Sequence, residues 1–124
     1  MVALVSERDA AHAICVETHA AIRGPLWTCW PVLTEATYLL RRSPAAIARL
    51  FEGVENGVVV LQQLNDDAVP WIAKFMRTYE RAQLADAALC HLAEREQIRT
   101  IFTLDKRDFG VYRLKGNRSL KVIP

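Results

Sequence analysis

The sequence predicts an α/β fold in which a parallel sheet is covered by helices on both faces. Apolar stretches such as residues 58–61 and 100–104 lack polar alternation, which is typical of strands buried on both sides. Segments with apolar residues at helical spacing separate these strands along the chain. Alternation of strands and helices favours parallel strands joined by helical crossovers.

Length and composition indicate a single folded domain. The chain has 124 residues, of which 52% are hydrophobic and 24% charged, and this balance excludes a disordered protein. The net charge of +2 permits an anionic partner without requiring one.

The cysteines Cys15, Cys29 and Cys90 form no CxxC pair, which argues against a structural zinc site and a disulfide framework. We expect three buried thiols in a reducing cytoplasm. No apolar run is long enough to span a membrane, and the first residues lack the basic segment of a signal peptide, so no membrane association is expected.

In the first part of the chain, Asp9 is a candidate N-cap for a helix over residues 10–22. Gly24 and Pro25 end this helix. Residues 26–33 predict a strand, because aromatic and branched side chains dominate the segment.

The middle of the chain predicts two helices and a strand. The first helix covers residues 34–42 with Thr34 as N-cap, and the second begins at Ser43-Pro44 and runs to about Glu55. After the Asn56-Gly57 turn, residues 58–61 predict a buried strand.

The last part of the chain continues the alternation. Helices are predicted over residues 68–79 and 85–96, and strands over residues 100–104 and 120–124. The last strand is expected at an edge of the sheet.

Acidic residues follow the predicted strands at places where α/β proteins form their sites. Glu35 comes after the first strand, Asp105 directly follows residues 100–104, and Asp108 lies three residues further on. Asp86 lies near the start of its helix. Ligand sites in such sheets lie at the carboxyl ends of the strands. Carboxylates that converge there repel one another unless a cation lies between them, and oxygen ligands alone favour Mg²⁺ or Mn²⁺.

Each carboxylate also has a purely local explanation. Glu35 would complement the dipole of its helix, and Asp105 and Asp108 would form a turn. Asp86 would be a first-turn acid, although Leu84, Ala85, Ala87 and Ala88 offer it no cationic partner. The local pattern leaves these alternatives open.

Three motifs occur in a fixed order along the chain: Thr34-Glu35-Ala36, the helical segment LADAAL around Asp86, and TLDKRDF from Thr103 to Phe109. This ordered set resembles the PIN-domain family, in particular the small nuclease toxins of VapBC-type toxin–antitoxin modules. The resemblance extends over nearly the whole chain, including Tyr112 and the Val122-Ile123-Pro124 ending.

The resemblance implies a three-layer α/β/α sandwich with a parallel central sheet. It also implies a metal-dependent endoribonuclease that hydrolyses RNA phosphodiesters as the toxin of a toxin–antitoxin module. By the same analogy Glu35, Asp86 and Asp105 are catalytic, and with Asp108 they bind Mg²⁺ or Mn²⁺. Thr103 matches a position that shapes the site by hydrogen bonding. The implied partners are RNA, a cognate antitoxin protein and a second copy of the chain in a homodimer.

The chain departs from the family pattern at its start. Family members begin with a strand that ends in an aspartate of the metal site, whereas residues 1–5 match the short helix that follows this strand. We therefore expect a domain that lacks the first strand and leaves strand edges open. A start at an internal codon, a strand supplied by a neighbouring chain, and a degenerate member each explain the departure, and the first is favoured because the downstream motifs are intact. The alternative function is a catalytically inactive PIN-like module that binds RNA or protein.

Basic and aromatic residues are further candidates for contact with RNA. Trp27, Trp30 and Trp71 would stack on bases, but core positions explain them more simply. Arg41 and Arg42 are also explained as residues near a helix C-terminus. The candidates for phosphate contacts are Arg41, Arg42, Lys106 and Arg107, together with Arg113, Lys115 and Arg118.

Overall fold

Seven helices and four short strands alternate along the chain, and the computed structural model describes every residue from Met1 to Pro124. This order confirms the predicted α/β class. The helices are α1 (Val2–Val5), α2 (His12–Ala21), α3 (Trp30–Leu39), α4 (Pro44–Glu55), α5 (Ala68–Thr78), α6 (Leu84–Arg95) and α7 (Lys106–Val111), and the strands are β1 (Leu26–Thr28), β2 (Val59–Leu61), β3 (Thr100–Phe102) and β4 (Lys121–Ile123).

The chain forms two compact units, which we call the first unit (Met1–Leu61 with Pro124) and the second unit (Gln62–Ile123). Each unit contains one pair of parallel strands, β1 with β2 and β3 with β4. The predicted parallel pairing is thus confirmed within each unit. Each strand has a single hydrogen-bonded neighbour and one open edge, as the sequence predicted. The missing first strand stays a prediction.

The core of the first unit is aliphatic. Leu33 and Ala36 of α3 pack with Leu40, which follows that helix, and with Ala46 and Leu50 of α4. As predicted, α4 begins with Pro44 at its first position, where the missing N–H of proline costs nothing. The helical expectation for residues 2–5 is also confirmed, since Val2–Val5 forms α1.

Aromatic rings close the core of the second unit. Tyr112 is only 1% exposed, and its ring meets the rings of Phe75, Tyr79 and Phe109 edge to face at centroid distances of 5.1, 5.0 and 5.2 Å. Trp71 stacks on Phe75 at 5.1 Å, which confirms a core position for this tryptophan. Edge-to-face pairs of this kind add about 0.5–1.5 kcal/mol each beyond the area that they bury.

The predicted strand over residues 26–33 is wrong in its second half. Strand β1 ends at Thr28, and α3 begins at Trp30 with Pro31 in its first turn. Cys29 is the extended residue that precedes the helix. A proline at the end of a predicted strand is equally compatible with the first turn of a helix, and here the helix forms.

The earlier start of α3 changes the position expected for Glu35, and two tryptophans near this start are also not where they were expected. Glu35 lies in the second turn of α3, not in its opening turn, so it does not complement the N-terminal dipole. Trp27 and Trp30 are 42% and 62% exposed, so the expectation that they are core residues is also wrong.

The cysteines, the segment after β3 and the lengths of the helices remain to be compared with the sequence. All three cysteines are free and buried, as predicted. Residues 106–111 form α7, a helix that the sequence did not predict, directly after the turn that follows β3. None of the helices combines the length and apolarity needed to cross a membrane.

Candidate active site

Asp86 caps the helix on which it lies. It occupies the third position of α6, and its Oδ2 accepts a hydrogen bond of 3.0 Å from the backbone N–H of Gln83. The spacing from Gln83 to Asp86 is that of a capping box, in which the carboxylate satisfies an orphan N–H of the helix start. The local explanation of Asp86 as a first-turn acid is therefore correct, and this hydrogen bond uses one of the two carboxylate oxygens.

A buried tyrosine supports the same carboxylate from the core. The Tyr112 hydroxyl donates a hydrogen bond of 3.3 Å to Asp86 Oδ2. Both hydrogen bonds thus converge on Oδ2, and Oδ1 lies outside them. Because the Tyr112 ring is held by three neighbouring rings, the hydroxyl fixes the direction in which the Asp86 carboxylate points.

Asp105 caps the next helix of the unit. Its Oδ1 accepts a hydrogen bond of 2.9 Å from the backbone N–H of Asp108, which makes Asp105 the N-cap of α7. The Thr103 hydroxyl accepts a hydrogen bond of 3.2 Å from the backbone N–H of Asp105. Asp105 thus forms the turn after β3, as its local explanation proposes, and the Thr103 hydroxyl contacts the backbone of that turn. The role of Thr103 in shaping a catalytic site stays a prediction.

Asp108 is paired with a cation from another part of the same unit. Its Oδ1 lies 3.2 Å from Arg81 Nε, and the Asp108 side chain is 15% exposed while that of Arg81 is 58% exposed. Arg81 lies in the short connection between α5 and α6. The sequence assigned no role to this arginine, and no local spacing links it to Asp108.

The electrostatics of Asp86 connect these three carboxylates. Burial raises the pKa of Asp86 above its ordinary value, the hydrogen bonds from Gln83 and Tyr112 lower it, and the charges of Asp105 and Asp108 raise it. Asp105 and Asp108 are therefore close enough for their charges to act on Asp86. No three His, Cys, Asp or Glu side chains form a ready-made metal site in the structure.

Glu35 belongs to the first unit, whereas Asp86, Asp105 and Asp108 belong to the second. It is half-buried on α3, next to the core residue Ala36. Its assignment to the metal site stays a prediction of the sequence.

The basic candidates have different surroundings. Arg41 donates a hydrogen bond of 2.9 Å to the Tyr38 carbonyl and stacks on the Tyr38 ring at 4.3 Å, as expected of a cation near a helix C-terminus. Arg42 is exposed, as are Lys106 and Arg107, which follow Asp105 directly. The last two cations lie on the same turn as a candidate catalytic carboxylate.

Cys90 lies one turn beyond Asp86 on α6 and is fully buried. Burial, together with the charges of Asp86 and Glu94, raises the pKa of Cys90 to about 12. A thiol with this pKa is protonated at neutral pH, so it packs in the core and is no nucleophile.

The whole chain is similar to two known proteins. The chain is 30% identical to ribonuclease VapC26 of Mycobacterium tuberculosis in an alignment 134 positions long, gaps included, which covers 98% of this chain and 96% of the relative. It superposes on the crystal structure of VapC20 from M. tuberculosis, a toxin that cleaves the sarcin–ricin loop, with a TM-score of 0.79. That likeness has 20% sequence identity and covers 92% of this chain and 91% of the other, and it shows the fold. No family profile matches the chain. Because the similarity to VapC26 spans nearly the full length of both chains, the protein belongs to the PIN-domain family, among its VapC-type ribonuclease toxins.

Proposed function

We propose that the protein is a metal-dependent endoribonuclease that hydrolyses RNA phosphodiesters as the toxin of a toxin–antitoxin module. The observation that carries this proposal is the electrostatic coupling of Asp86 to Asp105 and Asp108 in the second unit. The charges of Asp105 and Asp108 raise the pKa of Asp86, and a cation bound among these carboxylates would relieve this repulsion.

The donor chemistry suits the proposed metal. All three side chains offer hard oxygen ligands, which Mg²⁺ and Mn²⁺ prefer over nitrogen and sulfur. One oxygen of Asp86 and one of Asp105 lie outside the hydrogen bonds of the helix caps. We propose Asp86, Asp105 and Asp108 as ligands, with Glu35 as the further ligand that the family resemblance implies.

Hydrolysis of a phosphodiester requires an activated water and compensation of the charge that develops on the phosphate oxygens, and a bound divalent ion supplies both. The residues of the chain bind and orient. Tyr112 and Gln83 hold the Asp86 carboxylate, and Thr103 holds the turn that carries Asp105. Lys106 and Arg107 lie exposed on that turn, where positive charge attracts the RNA backbone.

The decisive experiment compares Asp86→Asn with Asp66→Asn in an RNA cleavage assay. A hairpin with the sarcin–ricin sequence is a suitable first substrate, since the structurally similar VapC20 cleaves that loop. We expect Asp86→Asn to lower the rate of RNA cleavage by more than about 10–100-fold, the loss that is typical of a residue that only supports a metal ligand. Asp66 is exposed in the same unit, so Asp66→Asn makes the same chemical change and should retain the activity of the unaltered protein.

The metal is tested in the same assay. Cleavage should stop in EDTA and return with Mn²⁺ or Mg²⁺. Undiminished cleavage in EDTA, or by Asp86→Asn, would contradict the proposal.

The ion pair between Arg81 and Asp108 favours a second candidate function, a PIN-like module that binds RNA or protein without catalysis. In this case the Arg81 guanidinium, not a metal ion, neutralises negative charge at the site. RNA binding without hydrolysis in the presence of Mn²⁺ would support this function.

The proposed partners are RNA and a cognate antitoxin protein. We also propose that the protein forms a homodimer and acts in the cytoplasm. Sedimentation of the purified protein tests whether it forms the dimer.

A further inference from the structure

A cleft lies on the surface of the second unit, away from the carboxylates. Arg99 precedes β3 and therefore marks the amino end of that strand, whereas Thr103 and Asp105 follow its carboxyl end. Arg99 and Thr103 are four residues apart along extended chain, which corresponds to about 13 Å. The residues that line the cleft are Ile98, Arg99, Leu114, Asn117, Arg118 and Ser119.

A tight turn between Leu114 and Arg118 builds part of the cleft wall. The backbone N–H of Leu114 donates a hydrogen bond of 2.9 Å to the Arg118 carbonyl and closes the loop between them. Gly116 and Asn117 both have positive φ values, 75° and 58°, which glycine and asparagine adopt more readily than other residues. The sequence Lys115-Gly116-Asn117-Arg118 is thus well suited to this turn.

Two arginines face a lining that contains no acid. Arg118 donates from Nε to the Lys115 carbonyl at 3.0 Å, a contact that orients the guanidinium and leaves its two terminal nitrogens outside this bond. Arg99 is exposed and lines the same cleft. A guanidinium held in this way presents paired N–H groups that match phosphate geometry.

The stretch of chain that follows Asp108 carries positive charge only. No Asp or Glu occurs after Asp108, while the same stretch contains Arg113, Lys115, Arg118 and Lys121. Glu94 contacts the turn at Lys115, and its two oxygens accept hydrogen bonds from the Lys115 backbone and from Trp71. Glu94 does not line the cleft.

We propose that Arg99 and Arg118 bind the phosphodiester backbone of the RNA substrate in this cleft, as a second contact remote from the carboxylates. The Asn117 and Ser119 side chains provide hydrogen bonds to phosphate or ribose hydroxyl groups, and Ile98 and Leu114 provide an apolar floor. The substrate class rests on the proposed function. The consequence is a preference for RNAs long enough to reach from the carboxylates to the cleft.

The test is RNA binding in EDTA, where no cleavage occurs, measured by fluorescence anisotropy over a range of salt concentrations. The double variant Arg99→Gln/Arg118→Gln should bind a structured RNA about tenfold or more weakly, and the slope of log affinity against log salt should fall by about 1.4–1.8. The control Lys74→Gln/Arg77→Gln removes the same charge from exposed positions of α5 in the same unit and should change the slope less. An unchanged slope and affinity in the first variant would overturn the proposal.

A second variant provides the test if the double arginine variant does not fold. Asn117→Asp places a negative charge in the cleft but keeps the bond from Arg118 to Lys115, and it should also weaken binding. Thermal unfolding of each variant shows whether it is folded, and if the arginine pair fails to fold, the binding by Asn117→Asp decides.

A short oligonucleotide separates this proposal from the proposed function. Its cleavage rate should be the same with and without Arg99 and Arg118, because it does not reach the cleft. An equal loss on short and long RNA would place the arginines in the catalytic site and overturn the proposal. If no RNA is cleaved at all, the proposed function fails, but the binding result still decides on the cleft.

Discussion

The cores of the two units are built from different side chains. Leucine and alanine close the first, whereas aromatic rings close the second. Aliphatic side chains have no polar atoms, but Tyr112 donates its hydroxyl to Asp86, and Trp71 donates its indole N–H to Glu94 at 2.8 Å. The core of the second unit therefore both stabilises the fold and orients polar groups at the surface. Changes in this core should affect function as well as stability.

The largest expected effect comes from truncating one core residue in each unit. Phe75→Ala should lower the free energy of unfolding by about 3–5 kcal/mol and Leu50→Ala by about 2–5 kcal/mol, because both side chains are buried. At low temperature, where both variants remain folded, Phe75→Ala should lose more RNA cleavage than Leu50→Ala, since Tyr112, which orients Asp86, packs on Phe75. Urea unfolding and cleavage rates measure the two effects. Equal losses of cleavage would contradict the difference between the cores.

A smaller change removes one hydroxyl from the aromatic core. Tyr112→Phe should cost about 1 kcal/mol of stability, because a single hydrogen bond to Asp86 is lost. Its affinity for Mn²⁺, measured by calorimetry, should fall about tenfold, since Asp86 loses its orienting partner.

Tyr79→Phe is the matched control for this change. The Tyr79 hydroxyl accepts a hydrogen bond of 2.9 Å from the Arg113 backbone and has no hydrogen bond to a carboxylate. This variant should lose similar stability but bind Mn²⁺ as the unaltered protein does. Unchanged Mn²⁺ affinity in Tyr112→Phe would show that the hydroxyl does not position Asp86.

The smallest expected effect is a gain in stability. Because burial first, and then the charges of Asp105 and Asp108, raise the pKa of Asp86, folding favours its protonated form. The contribution of Asp86 to the free energy of unfolding therefore falls as pH rises from the ordinary aspartate value of 3.8 through the raised pKa. Asp86→Asn should consequently be more stable than the unaltered protein at pH 7 without metal, since the amide oxygen still accepts hydrogen bonds.

This gain should disappear below pH 3.8, where Asp86 is protonated in the folded and unfolded states alike. Asp66→Asn, at an exposed position, should stay within about 0.5 kcal/mol of the unaltered protein at both pH values. Lower stability of Asp86→Asn at pH 7 would show that the hydrogen bonds of the charged Asp86 cap stabilise the fold more than burial of its charge destabilises it.

The sequence predicted those features that depend on local patterns. Helix α4 begins at Pro44, as the Ser43-Pro44 pair predicts. The capping box of Gln83 and Asp86 departs from the usual Ser/Thr-x-x-Glu/Gln sequence, so the pattern of the chain does not announce it. Residues 30–33 were assigned to a strand because aromatic and branched side chains suit both states, and the decision depends on packing of Leu33 in the core.

Other features depend on contacts between distant residues. Asp86 and Tyr112 are 26 positions apart, so their hydrogen bond has no local signature. The pairing of Arg81 with Asp108, and the cleft between Arg99 and the turn at Asn117, likewise arise only when the chain has folded. The order of the acidic residues was visible in the sequence, whereas the groups that orient and compensate them were not.

The bond from Trp71 to Glu94 gives the protein an internal optical reporter. Glu94 also accepts a hydrogen bond of 2.6 Å from the Lys115 backbone, so the indole is connected through one carboxylate to the turn that walls the cleft. The other tryptophans, Trp27 and Trp30, are exposed and emit at longer wavelength than an indole packed on Phe75. A ligand that shifts the turn should change the short-wavelength emission of Trp71, so occupancy of the cleft can be followed in unlabelled protein.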